Sequence, residues 1–524
     1  MPESHTSVLI VGGGPVGLTL SCLLSGHGVD HVLIEAHPAA SRHPKARGVS
    51  ARSMEIFRRV GLEQAVRAAG LPAEQVRFYR GRDLVDPDHV RTGPAREPGE
   101  GPEHTPSPGL ICSQDALEPV LLRRAEEQAG SRVRFGTRLV SFADDGLGVR
   151  AVVEERESGR RHRLRADWLV GCDGAASTVR SGAGITMEGP TGLGRYLSVR
   201  FEAPLGEVVA DRASASYFLT VPGRGGFLAV DNDRHWIYQY PLGTDPGAAD
   251  PSDHRVLAGL VRTAAGIPDL EVTIRDTMTW RMDARLADSY RRSRVLLAGD
   301  AAHVVPPTGG HGMNTGIGDA DNLAWKLAAV TAGPAGEALL DTYEAERRPV
   351  ARQVIDISTA NAADRSGYRL DDELLLTAAY RSAAVVPGPQ DPLRLGALDP
   401  AGCRPGCRPG ERVPHIRLIG GPADVTSTLD LVGPGFTLLT ADVTPQWQAQ
   451  AEAVRHAGIP LTLRTVRTAA QREAEPGRWA RLLGTGHADA VLLVRPDGHI
   501  AWRGPCPADL STLPALVRGV LAAP

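Results

Sequence analysis

Short, largely apolar runs recur along this chain, and the strongest of them stop at a glycine or a carboxylate. The first is residues 7–11 (SVLIV), followed at once by Gly12, Gly13, Gly14, Pro15, Val16 and Gly17. A short apolar run bounded by turn residues predicts a buried strand, and the spacing over 18–24 predicts an amphipathic helix, closed by Gly26 and Gly28. Residues 31–34 predict a second strand, which ends in Glu35. The pattern is GxGxxG between strand and helix, with an acid eighteen residues past Gly17. That is the layout of a dinucleotide-binding βαβ unit. In it Gly12 permits the tight turn, Gly14 lets the backbone approach a pyrophosphate, and Gly17 lets helix and strand pack closely.

Two later segments repeat the strand-end theme. Residues 167–180 (DWLVGCDGAASTVR) read as a strand ending in Asp173-Gly174 and running toward a helix that carries Arg180. Residues 295–298 form another strand, stopped by Gly299-Asp300, and a loop rich in Gly and Pro leads to a helix from about Met313. A carboxylate fixed at a strand end can accept from a sugar or ribityl hydroxyl. A helix start behind glycines offers free N–H groups and a positive dipole end. The three acids are spread over about half of the chain. A nicotinamide dehydrogenase would complete its cofactor site within one compact domain, whereas an elongated, permanently bound FAD touched by distant segments accounts for the spread.

Between 182 and 292 the pattern turns to alternation: YLSVRFEA, SASYFLTV, GFLAV, HWIYQYPL and LEVTIRDTMTW. This predicts an antiparallel sheet carrying a substrate pocket, one face toward the cofactor and the other toward solvent or a helix. Tyr217, Phe227, Trp236, Tyr238, Tyr240 and Trp280 are candidates for the pocket wall, with Trp236, Tyr238 and Tyr240 on one face. Ordinary sheet packing is the competing reading for each ring, and a structural role is the expectation for Arg281. Residues 81–108, poor in apolar side chains, read as a surface excursion. A long helix follows Asp341, and its Pro349 is expected to kink it or mark a boundary. A Pro/Gly stretch at 387–410 reads as a linker, and 411–524 as a βαβ-like unit: FTLLTA, a helix over 446–457, LTLRTV, then AVLLVRPDGHIAWRG.

Composition narrows the function classes. At 524 residues the chain holds two to four domains, and a net charge of −3 with 42% apolar residues calls for neither nucleic acid nor an anionic membrane. Three glycines and Pro15 interrupt the apolar stretch 8–24, which also lacks a basic leader, so neither a signal peptide nor a membrane span is expected. The six scattered cysteines fit reduced thiols in the cytoplasm, and enrichment in Ala, Arg, Gly and Pro hints at a GC-rich bacterial genome. Cys403 and Cys407 would make half a zinc site, but no second pair lies near, so no metal is expected.

The chain resembles the class A flavoprotein monooxygenases, the aromatic hydroxylases with the p-hydroxybenzoate hydroxylase fold. The segments that carry this likeness are those described above together with SMEIFRRVGL (53–62), SQDALEPVLLRRA (113–125), WRMDARLADSY (280–290) and LLDTYEAERRPVA (339–351). The closer likeness is to the larger members, which oxidise polycyclic polyketides, tailored aromatic alkaloids or phenols. The resemblance implies an α/β fold with a Rossmann-like FAD-binding domain in two parts, 1–181 and 293–395. It further implies an antiparallel-sheet substrate domain at 182–292 and a thioredoxin-like C-terminal domain at 411–524 that lacks C-x-x-C.

Carried over by position, the resemblance sets Gly12, Gly14, Pro15, Val16 and Gly17 at the FAD pyrophosphate and Glu35 at the adenosine ribose. Gln114 lies beside the flavin, Asp173 is linked to FAD and the nicotinamide coenzyme, and Asp300 binds the ribityl or pyrophosphate region. Pro306, Pro307 and Gly309 to Asn314 (Gly310, His311, Gly312 and Met313 among them) frame the isoalloxazine ring, with Pro307, Gly310 and His311 nearest the chemistry. Family members often carry Arg where Lys45 stands; lysine keeps the charge without the bidentate fork, and Arg42 or Arg47 is available to compensate. At His311 relatives commonly place Gln or Phe, which leaves a tolerant loop position or a tuning role open.

The implied cycle is hydride transfer from NADPH or NADH to FAD, reaction with O2, and attack of a C4a-hydroperoxyflavin on an aromatic or polycyclic small molecule. Baeyer–Villiger or epoxidising chemistry and a ligand-sequestering flavoprotein are the alternatives. His235, His303 and His311 are the candidate bases, and the assembly is a monomer or homodimer.

Overall fold

The N-terminal apolar run is the second half of strand Ser4–Val11, whose last four residues are buried. It pairs in parallel with His31–Ile34 on one side and with Arg161–Gly171 on the other, and Val295–Leu297 adds in parallel beyond that. Parallel strands covered on both faces read as continuous apolar runs, which is why these segments stood out. The shared direction also puts their C-terminal ends on one edge, and Gly12, Glu35, Asp173 and Asp300 all follow those ends within three residues. Ligands of open α/β sheets bind at that edge.

This computed structural model describes residues 4–41, 45–72, 75–93, 103–128, 131–221, 225–242, 253–363, 371–388, 397–404, 406–484 and 491–523. Six helices position the site: α1 (Pro15–Gly26), α2 (Ala51–Arg59), α3 (Gln114–Glu127), α4 (His254–Ala265), α5 (Gly312–Thr331) and α6 (Asp341–Ala363). The approach of α5 to α1 depends on two glycines. A Cβ on Gly316 would lie 2.5 Å from Val16 Cγ2, and one on Gly299 2.9 Å from the same atom. The α6 helix runs through Pro349 without interruption, so that residue marks no boundary. Among the described residues no helix is long and apolar enough to cross a membrane.

The second sheet has the strand order Thr273–Met282, Gly194–Glu202, His235–Leu242, Gly226–Ala229, Ser216–Leu219, Phe78–Gly81 and Val90–Thr92. Its last two strands come from before residue 182, and Phe78–Gly81 pairs with Ser216–Leu219 in parallel. The expected boundary at 182 is thereby corrected, since 78–81 and 90–92 build one side of the sheet; the expected surface excursion from 81 includes this edge, where Val85 and Val90 are exposed, and its part at 94–102 lies outside the described residues. Alternation puts Leu197, Val199, Phe201, Tyr217, Phe227, Trp236 and Tyr238 on one face, and α4 covers it with Leu257, Val261, Ala264 and Ala265.

The C-terminal unit orders its strands Leu461–Thr465, Phe436–Thr440, Val491–Val494 and Ile500–Gly504, with helices Pro445–His456 and Thr512–Val520. Its core reaches across to Trp325 of α5. Cys407, expected in a linker, is buried in a second core of this unit.

Candidate active site

The glycine-rich turn is built from the strands upward. Gly12 N donates to Ile34 O at 2.8 Å and Cys172 N to Val11 O at 2.7 Å, tying three strand ends together. Gly12 has φ +113°, and a Cβ there would meet Cys172 O at 2.3 Å. Gly14 differs: a Cβ would meet nothing within 4 Å, so the backbone faces open space. Helix α1 begins there with no side-chain cap and no acid in its first turn, leaving amides that suit a phosphate. Glu35 accepts from Gly13 N at 2.6 Å and His37 N at 2.8 Å, which fixes its carboxylate beside the turn.

Asp173 is otherwise engaged. It accepts from Ser177 Oγ, from Thr178 N at 2.7 Å and from Val179 N at 3.1 Å, and so caps the short helix Thr178–Gly182. Burial raises its carboxyl pKa and these donors oppose the shift. The motif reaches the next one through Arg180, which donates to Ala301 O at 3.0 Å.

Asp300 is the outward member of the turn Gly299–Ala301, exposed between two buried neighbours. Although Asp300 is exposed, desolvation by its surroundings raises its carboxyl pKa, with His303 and Lys45 pulling it down. Behind it Asp319 is fully buried and accepts from Gly299 N at 3.1 Å, His303 Nε2 at 2.7 Å and Arg347 Nε at 2.8 Å. Arg347 also donates to Thr315 O at 2.8 Å. His303, a candidate base, is thus wholly buried as a brace of this turn.

The loop that follows turns on Gly309 and Gly310, both at positive φ, and exposes Pro307. Helix α5 starts at Gly312 with no side-chain cap and no acid in its first turn. Asn314 holds this start in place: its Oδ1 accepts from Ser50 N at 2.9 Å and Ser53 Oγ at 2.8 Å, and its Nδ2 donates to Gly48 O at 2.9 Å and Gly310 O at 2.7 Å. Thr308 Oγ1 donates to Ser358 O of α6 at 2.6 Å. The His311 ring packs against Gly309, and burial lowers its pKa to about 4, so the imidazole is neutral.

Around the edge, Gln114 opens α3 and donates to Glu118 at 2.6 Å, while Glu118 also accepts from Ser41 N at 2.7 Å. Lys45 is exposed. Arg47 is buried, its guanidinium donating to Ala229 O of the second sheet, and desolvation lowers its pKa to about 10. Arg42 lies outside the described residues.

The proposed substrate wall needs correction. Tyr217, Phe227, Trp236 and Tyr238 are 0% exposed in the core under α4, so they have no ring surface for a ligand, and Tyr240 packs partly buried beside them. On the opposite face Trp280 stacks on Tyr196 with centroids 4.5 Å apart and donates to Gln239 Oε1 at 3.1 Å. Gln239 in turn donates to Ser198 Oγ at 2.9 Å. Tyr196 was missed, although it pairs with Trp280 in register. Arg281 is paired to Asp283 at 2.8 Å and His235 to Asp231 in an exposed turn, both in structural roles. Asp319, Arg347 and Glu118 were also missed, because a buried partner of a loop leaves no local pattern.

Two uncapped helix starts, an open glycine backbone and an outward carboxylate at one sheet edge fit a long ligand with a diphosphate, hydroxyls and a flat ring. Comparisons agree with that fit. Residues 5–358 match the FAD binding domain family and 407–524 the aromatic-ring hydroxylase C-terminal family. A tetracenomycin B2 monooxygenase-dioxygenase of Streptomyces olivaceus is 38% identical over 551 residues, covering 100% of this chain and 99% of that protein. The flavin-dependent monooxygenase PieE in complex with FAD and substrate aligns with a TM-score of 0.91 at 30% identity, covering 100% of both chains. Aklavinone-11 hydroxylase with FAD and aklavinone gives 0.87 at 35%, covering 99% of this chain and 100% of that one. The chain belongs to the FAD-dependent aromatic-ring hydroxylases, the class A flavoprotein monooxygenases.

Proposed function

We propose that this enzyme inserts one atom of O2 into an electron-rich carbon of a polycyclic, polyketide-like aromatic substrate, with NADPH or NADH as reductant, in the bacterial cytoplasm. The observation that carries the reading is the uncapped start of α5 behind Pro307, in a loop held by Asn314 and Ser358. Bound FAD supplies the hydride acceptance and oxygen activation. The chain's own part is placement. The amides at Gly312 and Met313, at a helix start with no side-chain cap, would stabilise negative charge on the bound flavin. Asp300 and Glu35 would accept from hydroxyls of the cofactor, and Gly14 with the start of α1 would hold its diphosphate. Arg47 closes the seam to the second sheet at Ala229, which helps exclude water.

Support for a polycyclic substrate comes from the Tyr196–Trp280 pair, a flat apolar surface edged by the Gln239 amide. Relatives named for tetracenomycin and aklavinone act on molecules of that kind. The test is NADPH and NADH oxidation by the purified holoenzyme against fused-ring and single-ring phenols, with peroxide release followed in parallel. Stimulation by fused-ring phenols with little peroxide is expected. Tight binding of these ligands without stimulation would point to sequestration instead.

A further inference from the structure

The tight turn Arg495-Pro496-Asp497-Gly498, between the last two strands of the C-terminal unit, enters the FAD-binding domain and is buried there: Arg495 is 0% exposed and Asp497 1%. The Arg495 guanidinium donates to both oxygens of Glu346 on α6, at 2.6 and 2.9 Å, and lies 5.1 Å from the Trp325 ring and 5.3 Å from Tyr380. Glu346 also accepts from Lys326 Nζ at 2.8 Å and Asn322 Nδ2 at 2.6 Å, both on α5. Burial alone would raise the Glu346 carboxyl, but Arg495 and Lys326 hold it far below the usual range. Asp497 accepts from Trp325 Nε1 at 3.2 Å, and its carbonyl accepts from Arg52 of α2 at 2.6 Å. Arg52 continues to Asp321 of α5 at 3.0 Å. One turn thus grips α2, α5 and α6 together.

Those three helices also form the cofactor loop's frame. The residues Ser50 and Ser53, at the start of α2, hold Asn314; α5 begins at the loop; and α6 supplies Ser358 to Thr308 and Arg347 to Asp319. A contact needed only for adhesion would be at least as stable if apolar, because burying charges costs their hydration. A bidentate guanidinium pair fixes direction and register as apolar contact does not.

We propose that the Arg495–Asp497 turn is a positioning element for the flavin: it sets the relative placement of α2, α5 and α6, and through them the 305–314 loop. The C-terminal unit is on this account a structural part of the cofactor site, although none of its atoms is needed to touch the cofactor.

The test uses the full-length chain with Arg495→Met, Arg495→Lys and Asp497→Asn, and Leu483→Ala as a control. Leu483 is buried in the C-terminal unit's second core, whose apolar members include none from α2, α5 or α6. The readouts are the FAD dissociation constant after deflavination, the visible circular dichroism of bound flavin, and Tm. Arg495→Met and Asp497→Asn are expected to weaken FAD binding at least tenfold and change the flavin dichroism, with Arg495→Lys in between. Leu483→Ala is expected to lower Tm and leave both flavin readouts unchanged. Should Arg495→Met fail to fold, Asp497→Asn, which keeps the Arg495–Glu346 pair, decides the matter. Wild-type FAD affinity and dichroism in the Asp497 variant, or an equal loss of affinity in Leu483→Ala, would overturn the proposal.

Discussion

Asp300 and Asp319 sit nineteen residues apart and divide one task. Asp300 is exposed at the strand edge, whereas Asp319 spends both oxygens on the turn behind it and on Arg347. Asp300→Ala is therefore expected to weaken FAD binding by about tenfold to a hundredfold, the weight of one lost charge-assisted hydrogen bond, with the Tm of the FAD-free protein unchanged. Asp319→Ala strands Arg347 and His303 in the interior and is expected to cost about 3–5 kcal/mol in denaturant unfolding. Equal Tm losses in the two variants would refute the division. His311 makes a pH claim. Its folded pKa of about 4 lies below the 6.5 of an ordinary histidine. The unfolded chain therefore takes up a proton that the folded chain refuses, so stability is untouched above pH 6.5 and falls as pH drops from there toward 4. The ceiling is about 3 kcal/mol. His499, also lowered to about 4 by burial, adds to the same fall. His311→Gln is expected to flatten the stability profile over this window, measured by unfolding at stepped pH; an unchanged profile would mean that the ring is not buried as described.

At the scale of elements, alternation told which rings share a face but not what lies over that face. Trp236, Tyr238 and Tyr240 do project together, and α4 covers them; the helix that decides this is an amphipathic stretch some twenty residues further along. The opposite face reads as merely polar in sequence, because Ser198 and Gln239 are conspicuous there and Tyr196 with Trp280 come from strands far apart in the chain. Trp236→Ala is accordingly expected to cost about 3–5 kcal/mol of stability with little change in substrate KM for the folded fraction. Trp280→Ala is expected to raise substrate KM at least tenfold with a much smaller loss of stability. Steady-state kinetics beside denaturant unfolding separate the two, and the reverse pattern would return the wall to the α4 side. The helix α6 shows a similar override. Proline inside a helix is costly, but Tyr343, Val350, Ala351 and Val354 around it are buried and carry the helix past the break.

For the whole molecule, the legible part was the part with local punctuation. Three strands ending in Glu35, Asp173 and Asp300 could be read singly, and their meeting at one edge followed once the strands proved parallel. Asp173 shows the limit of that reading: it follows a strand end, yet its oxygens cap a helix. Recruitment of 78–92 into the second sheet and the docking of Arg495 on Glu346 rest on long-range pairing, for which no single segment carries a signal. The chemistry of the assembled site is oxygen transfer to an aromatic ring. It is tested most directly by turning over a fused-ring phenol with NADPH under isotope-labelled dioxygen and weighing the product. One labelled oxygen atom per product molecule is expected. A product carrying oxygen from water, or oxidised without added oxygen, would contradict it.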